Sequence, residues 1–537
     1  MATTMRLLSV LLLLLLLLLL SLACSRAEPS DDASAVTDGS GGTADLDDLD
    51  DLDDLDDLDD LGDQDDQDDE SDQSDQGLDG AAGAVDAGDG IAASDALGDP
   101  PVGSGPTVGE SLCLSAFLPA GGSAKADAMR DFYYAELATL GVRVIRAGLS
   151  WHGIEKAKGE FSWDATDARL AAAQAHGIEV IAMLGYGNPW ASVAGAKAND
   201  PYYPPDDPQD FADFAKAFAV RHGDTIDRWE IWNEPNAGYR FWKGTADGVS
   251  GDPAAFAKLF VAASAAIHSA DPKATVGFGG LFYLPQFIIG AEEFLSAGYD
   301  ATGGLDLALD ALSYHPYSLY PPINPPELTK VLANGKPVAM AVDETARRLG
   351  DLIETKGGDK RPLWVTELGW PTEDAVTPTE AAAYLVRAWL LLMSEGVSPV
   401  CWYTFMDGDP NKEYLAPWER VFGLYEWDGD LVDGSLPVRK PAGEAHRVLA
   451  EQLGPLSFAA RIEPAVGASH HLVFATTDGA TAVHVMWNWQ ATGPTLVALP
   501  RRENAAYTAV GLFGDAIAVD EGDEGDEGDE GDEGDEG

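Results

Sequence analysis

Cysteine is scarce in this chain, with three in 537 residues: Cys24, Cys113 and Cys401. That is too few for a disulfide framework, so stability must come from a hydrophobic core. Cations are scarce as well. Thirty-three Lys and Arg face 91 Asp and Glu, a formal charge of −58. Phosphate backbones reward a basic surface, so a nucleic-acid partner is excluded. No His/Cys cluster stands at metal-ligand spacing and no Ser/His/Asp arrangement stands out, which leaves metal and acyl-transfer chemistry little support. The reading calls for no cofactor and no metal.

The acids are unevenly placed. Twenty-eight lie between Glu28 and Asp99 and 12 between Asp520 and Glu536, together 40 of the 91, with no Lys or Arg in either stretch. The run from Asp45 to Leu61 sets a leucine at every third position. A spacing of three spirals round an α-helix instead of forming a stripe, and dense like charge opposes compaction. Residues 25–105 are therefore expected to be a disordered acidic spacer, and 520–537 a second acidic tail. No Asp-rich segment has the Gly and Glu positions of an EF-hand loop.

Residues 1–24 read as an export signal. Arg6 precedes the unbroken leucine run Leu11–Leu20, an apolar stretch short of the ~20 residues a bilayer span needs. Ala23-Cys24 resembles the cleavage site of a bacterial lipoprotein signal, although Ser21 stands where that signal usually has leucine. The resemblance implies lipid attachment at Cys24 and a membrane anchor at the cell surface. Ordinary cleavage with release, or a retained anchor, stay open.

From residue 106 to 454, short apolar or β-branched runs alternate with longer alanine-rich stretches. Strands are predicted at 112–117, 142–149, 178–184, 228–232, 275–280, 311–315, 363–367 and 399–405. Helices are predicted between them, among others at 126–139, 164–176, 208–222, 253–270 and 379–395. Eight such repeats suit a parallel (β/α)8 TIM barrel, fold class α/β. An open doubly wound sheet would carry a Gly-rich phosphate loop after its first strand, and none follows Phe117. Residues 455–519 alternate without helices, at 458–462, 470–475, 481–489, 495–499 and 507–511, and read as a small antiparallel β domain. In a closed barrel Cys113 and Cys401 fall on neighbouring first and last strands. A bridge is possible there, two buried thiols being the simpler reading.

Barrel chemistry sits at the C-terminal ends of strands. The fourth strand ends RWEIWNEPN and the seventh PLWVTELGW, placing Glu234 and Glu367 where strands open into loops. Two carboxyl groups flanking a bond are what acetal hydrolysis requires, one to protonate the leaving oxygen and one to attack the sugar carbon or activate water. Asn233-Glu234 after an aromatic-rich strand, with Glu367 further on, is similar to clan A glycoside hydrolases, most nearly families five and thirty-nine. The resemblance covers about 350 residues and is specific because the two motifs occur together.

The resemblance implies Glu234 as acid/base, Glu367 as nucleophile and Asn233 as a donor to the sugar 2-hydroxyl. It implies Arg146, in VIRAGLSW, as support for the nucleophile, although Arg146 could instead serve a structural carboxylate. His315 and Tyr317, in SYHPY, resemble a His-x-Tyr whose tyrosine bonds the nucleophile, and Trp402, in CWYTF, a tryptophan that floors the sugar subsite. One departure concerns the third strand, where many family-five members carry histidine and this chain has Tyr186, Asn188 and Trp190. Trp151, Trp190, Trp232, Trp242, Trp370 and Trp402 gather at predicted strand ends, as core packing or as sugar platforms, since sugar C–H faces pack on aromatic rings. The expected activity is retaining β-glycoside hydrolysis of an extracellular poly- or oligosaccharide by a monomer. A disabled glycan-binding barrel and a transglycosylase are the alternatives.

Overall fold

A computed structural model describes residues 102–283, 289–317, 322–331, 337–373, 375–411, 416–427, 436–462, 469–490 and 508–517. The export signal with Cys24, nearly all of the acidic spacer, the strand expected at 495–499 and the acidic tail lie outside the described residues.

Eight parallel strands form the closed barrel: β1 (Leu112–Ser115), β2 (Val144–Ser150), β3 (Glu179–Gly185), β4 (Arg228–Asn233), β5 (Thr275–Phe282), β6 (Ala311–His315), β7 (Leu363–Leu368) and β8 (Val400–Tyr403). Each is followed by a helix: α1 (Ala124–Thr139), α2 (Asp164–Ala175), α3 (Pro208–His222), α4 (Pro253–Ala270), α5 (Ala291–Ala301), α6 (Val342–Gly357), α7 (Pro378–Ser394) and α8 (Pro441–Leu453). Every predicted barrel strand and named helix overlaps an observed one. Local chemistry explains the accuracy at α3, α4 and α7. Asp207, Asp252 and Thr377 cap them through side-chain oxygens, and each is followed by a proline suited to the first helical turn.

Closure comes where β1 pairs with both β2 and β8. The register sets Cys113 opposite Cys401, and the two form a disulfide with both residues fully buried. This corrects the expectation of two buried thiols. Parallel neighbours in register bring the two Cα atoms to 4.1 Å, a proximity that a sequence separation of 288 conceals in the linear chain. Cys113, Val144, Ile181, Ala311, Trp364 and Cys401 fill this end of the barrel as a separate apolar cluster.

The C-terminal strands β9 (Ser457–Arg461), β10 (His470–Ala475) and β11 (Ala482–Trp487) make an antiparallel sheet, followed by a two-residue ladder between Ala509–Val510 and Ala516–Ile517. Leu472 and Phe474 join the same core as the barrel helices. Polar ties reinforce the contact. Arg461 donates to Ser394 at 2.8 Å and pairs with Asp343 and Glu395, and the Trp487 indole donates to Glu327 at 2.7 Å. The sheet is thus packed on the barrel as one body with it.

Candidate active site

Glu234 and Glu367 meet at the C-terminal end of the barrel. One oxygen of each carboxylate and a ring nitrogen of His315 all lie within 4.8 Å of one another. Glu234 is nine-tenths buried, and Glu367 keeps a 16% exposed side chain. The backbone is shaped for this. Trp232 and Glu234 adopt left-handed conformations, with φ of 70° and 44°, where a residue with a Cβ pays roughly 1–3 kcal/mol. The strand therefore does not simply alternate at its end. The Glu234 amide donates to the Gly280 carbonyl on β5 at 2.9 Å, which anchors the turned segment.

His315 ends β6 and is fully buried. Its Nδ1 lies 2.8 Å from Glu234 Oε1 and 3.8 Å from Glu367 Oε2, and its Nε2 lies 3.2 Å from the Thr366 hydroxyl. Gly280 makes room for the ring, since a Cβ there would stand 2.3 Å from His315 Nε2. The Tyr317 hydroxyl donates to Glu367 Oε1 at 3.2 Å. Arg146, buried on β2, donates to Glu367 Oε2 at 3.5 Å and to Asn233 Oδ1 at 2.6 Å. With its oxygen so engaged, Asn233 is left with its NH₂ group to offer to a ligand. By distance alone Glu234, His315 and Glu367 could hold a metal ion. Both Glu367 oxygens already accept from Tyr317 or Arg146, and a guanidinium at 3.5 Å opposes a further cation.

Burial raises the Glu367 carboxyl above its ordinary range, with Glu234 adding to it, while His315, Arg146 and the Tyr317 hydroxyl act in the opposite direction. Within the pair Glu367 has more N–H and O–H donors, an arrangement that favours its ionised form. One carboxylate held by donors beside one carboxyl able to give up a proton is the division of labour that acetal cleavage uses.

Glu234, Glu367, Asn233, Arg146, His315 and Tyr317 are thus brought together. The tryptophans are not. Trp151 is fully buried, packed among Trp190, Phe211 and Phe214, with its indole N–H on Glu155 at 2.6 Å. Trp402 faces outward onto Trp370 and Trp389 and donates to the Phe422 carbonyl. Its strand neighbour Cys401 takes the inner face that Trp402 was expected to share. Trp190 is half-buried, its N–H on the Glu155 carbonyl at 3.1 Å. Trp232, Trp242 and Trp370 are core residues too. These large rings bury more apolar area between barrel and helices than a wet cleft offers, which corrects the platform expectation for Trp151 and Trp402.

Several participants were missed. Glu230, Ser115 and Thr366 hold Arg146 and His315 in place, and an acid inside the otherwise apolar, aromatic strand RWEIWN was the available signal for the first. Tyr186 projects where Arg146, Glu234 and Glu367 act on its hydroxyl, which burial pushes well above the ordinary phenol range. Arg240, after β4, pairs with Glu419, after β8, at 3.3 Å. That ion pair ties loops from opposite sides of the barrel.

No family model matches the chain, and no curated protein does. Solved structures do. A family 39 glycoside hydrolase from Bacteroides cellulosilyticus WH2 aligns with a TM-score of 0.60 and 23% identity over 78% of this chain and 79% of its own. The family 39 enzyme from Xanthomonas axonopodis pv. citri aligns at 0.51 and 19%, covering 76% and 77%. A monomeric β-xylosidase from Caulobacter crescentus CB15 aligns at 0.50 and 21%, covering 76% and 80%. The chain has the barrel fold of family 39 glycoside hydrolases.

Proposed function

We propose that this chain is a retaining β-glycoside hydrolase that cleaves O-glycosidic bonds of a poly- or oligosaccharide by double displacement. The observation that carries this is the approach of the two carboxylates, with an oxygen of each within 4.8 Å. Retaining enzymes hold their carboxyls ~5–5.5 Å apart, whereas inverting ones leave room for a water. Glu367, oriented by Tyr317 and Arg146, attacks the anomeric carbon as Glu234 protonates the departing oxygen. A glycosyl ester forms on Glu367. Glu234, now ionised, takes a proton from water, and that water displaces Glu367 from the sugar. Asn233 donates to the sugar 2-hydroxyl.

The test is a panel of aryl β-glycosides, beginning with β-xylosides because a structure of the same fold is a β-xylosidase. We expect turnover with retained configuration, and a loss of at least ~10³-fold in Glu367→Gly. Near wild-type rates in that variant would sink the assignment. Binding without turnover would indicate a glycan-binding barrel, and products extended by a sugar acceptor a transglycosylase.

The same proposal places the enzyme outside the cytoplasm, held to a membrane through lipidated Cys24 and spaced from it by the acidic segment. The leucine run, Ala23-Cys24 and the buried Cys113–Cys401 bridge support that placement, since disulfides persist in oxidising compartments. Palmitate labelling that is retained in Cys24→Ala would overturn the anchor.

A further inference from the structure

Glu230 is a carboxylate in the middle of β4, fully buried, four residues before Glu234. No step of the double displacement uses it. Its Oε1 accepts from Arg146 twice, from Nη2 at 2.5 Å and from Nε at 3.1 Å, and its Oε2 has no hydrogen-bond partner among the described residues. Buried carboxylates are costly, and Glu230 is left half-satisfied.

Arg146 has one positive charge and reaches four groups. Beyond Glu230 these are Ser115 Oγ at 3.3 Å, Asn233 Oδ1 at 2.6 Å and Glu367 Oε2 at 3.5 Å. The short contacts go to Glu230 and Asn233, and the long one to Glu367. The guanidinium is held by Glu230 on its Nε edge, which leaves Nη1 pointing at Glu367 from a distance.

We propose that Glu230 is a positioning residue: it locks the Arg146 fork and balances its charge, so that Arg146 orients Asn233 and steadies Glu367 without quenching its carboxylate as a nucleophile. This rests on the glycosidase reading. The charged and titratable groups facing the cluster are Arg146 from β2, Tyr186 after β3, Glu230 and Glu234 from β4, His315 and Tyr317 from β6 and its loop, and Glu367 from β7. Removing the Glu230 charge leaves Arg146 with Glu367 as its one nearby anionic partner. Ionised Glu367 is then over-stabilised, and the removal of a negative charge also makes Glu234 ionise more readily. Both limbs of the pH profile should move the same way.

The experiment compares wild type, Glu230→Gln and Glu230→Asp on an activated aryl β-glycoside, with kcat, KM and kcat/KM recorded from pH 4 to 9 and Tm recorded beside them. In Glu230→Gln we expect both limbs of kcat/KM to move acidward by about half a unit or more, kcat to fall about tenfold, and KM to stay within about threefold. Glu230→Asp keeps the charge, so its limbs should remain at wild-type pH even where kcat falls. Unmoved limbs in Glu230→Gln, with activity lost only in step with Tm, would overturn the proposal. So would a shift in Glu230→Asp equal to that in Glu230→Gln. Should Glu230→Gln not fold, Glu230→Asp decides alone, with shifted limbs counting against the proposal and fixed limbs for it. A wild-type enzyme inert on every glycoside would defeat the glycosidase reading itself, an outcome distinct from any of these.

Discussion

Breaking the Cys113–Cys401 bridge should lower the melting temperature by several degrees, and the size follows from topology. The bridge joins residues 288 apart, which in the chain-entropy treatment corresponds to about 5.7 kcal/mol of constraint on the unfolded chain. For a barrel of roughly 350 residues the unfolding entropy is about 0.7 kcal/mol per kelvin. The ratio is a fall of about 8 °C, an upper value because residual structure in the unfolded chain absorbs part of it. Both cysteines are fully buried, so reductant must act through the unfolded state. The assay unfolds the enzyme in guanidinium with dithiothreitol, refolds it under reductant, and compares its calorimetric Tm with that of oxidised protein. A non-reducing digest should also yield one peptide pair carrying Cys113 and Cys401. A Tm difference below about 2 °C, or free thiols at both positions in protein from an oxidising compartment, would refute the reasoning.

Gly280→Ala should place a methyl group 2.3 Å from His315 Nε2, displacing the ring and cutting kcat about 10- to 100-fold at a stability cost of about 1–3 kcal/mol; kinetics and Tm measured together check it. Burial raises the folded pKa of Glu367 above its unfolded value, so the ionised group costs stability once pH rises through the carboxylate range. Glu367→Gln should accordingly melt higher than wild type at pH 7, and the gain should vanish as pH falls below ~4. Burial holds His446 at a pKa of about 4. A depressed histidine pKa contributes stability above the unfolded value of ~6.5 that is lost as pH falls toward 4. His446→Leu should flatten acid denaturation between those pH values.

The strands and helices were legible because local chemistry encodes them. Asp207-Pro208, Asp252-Pro253 and Thr377-Pro378 announce helix starts, and apolar runs between helices announce strands buried on both faces. Glu234, Asn233, Glu367 and the residues around them were legible as well, because each stands at a strand end in a short, chemically unusual motif. The tryptophans were not, because a ring at a strand end reads alike whether it faces lumen or helix. One residue of offset decided that Trp402 packs on Trp389 while Cys401 turns inward.

Composition, charge, the eightfold alternation and the paired glutamates were determined by the sequence alone, since each depends on residue identity and short-range order. The tertiary structure decided what depends on groups far apart in the chain meeting in space. It joined Cys113 to Cys401, carried Arg146 from β2 to Glu230 and Glu367, and set His315 against Glu234. Closure of one sheet puts its first strand beside its last, and no local preference carries that information.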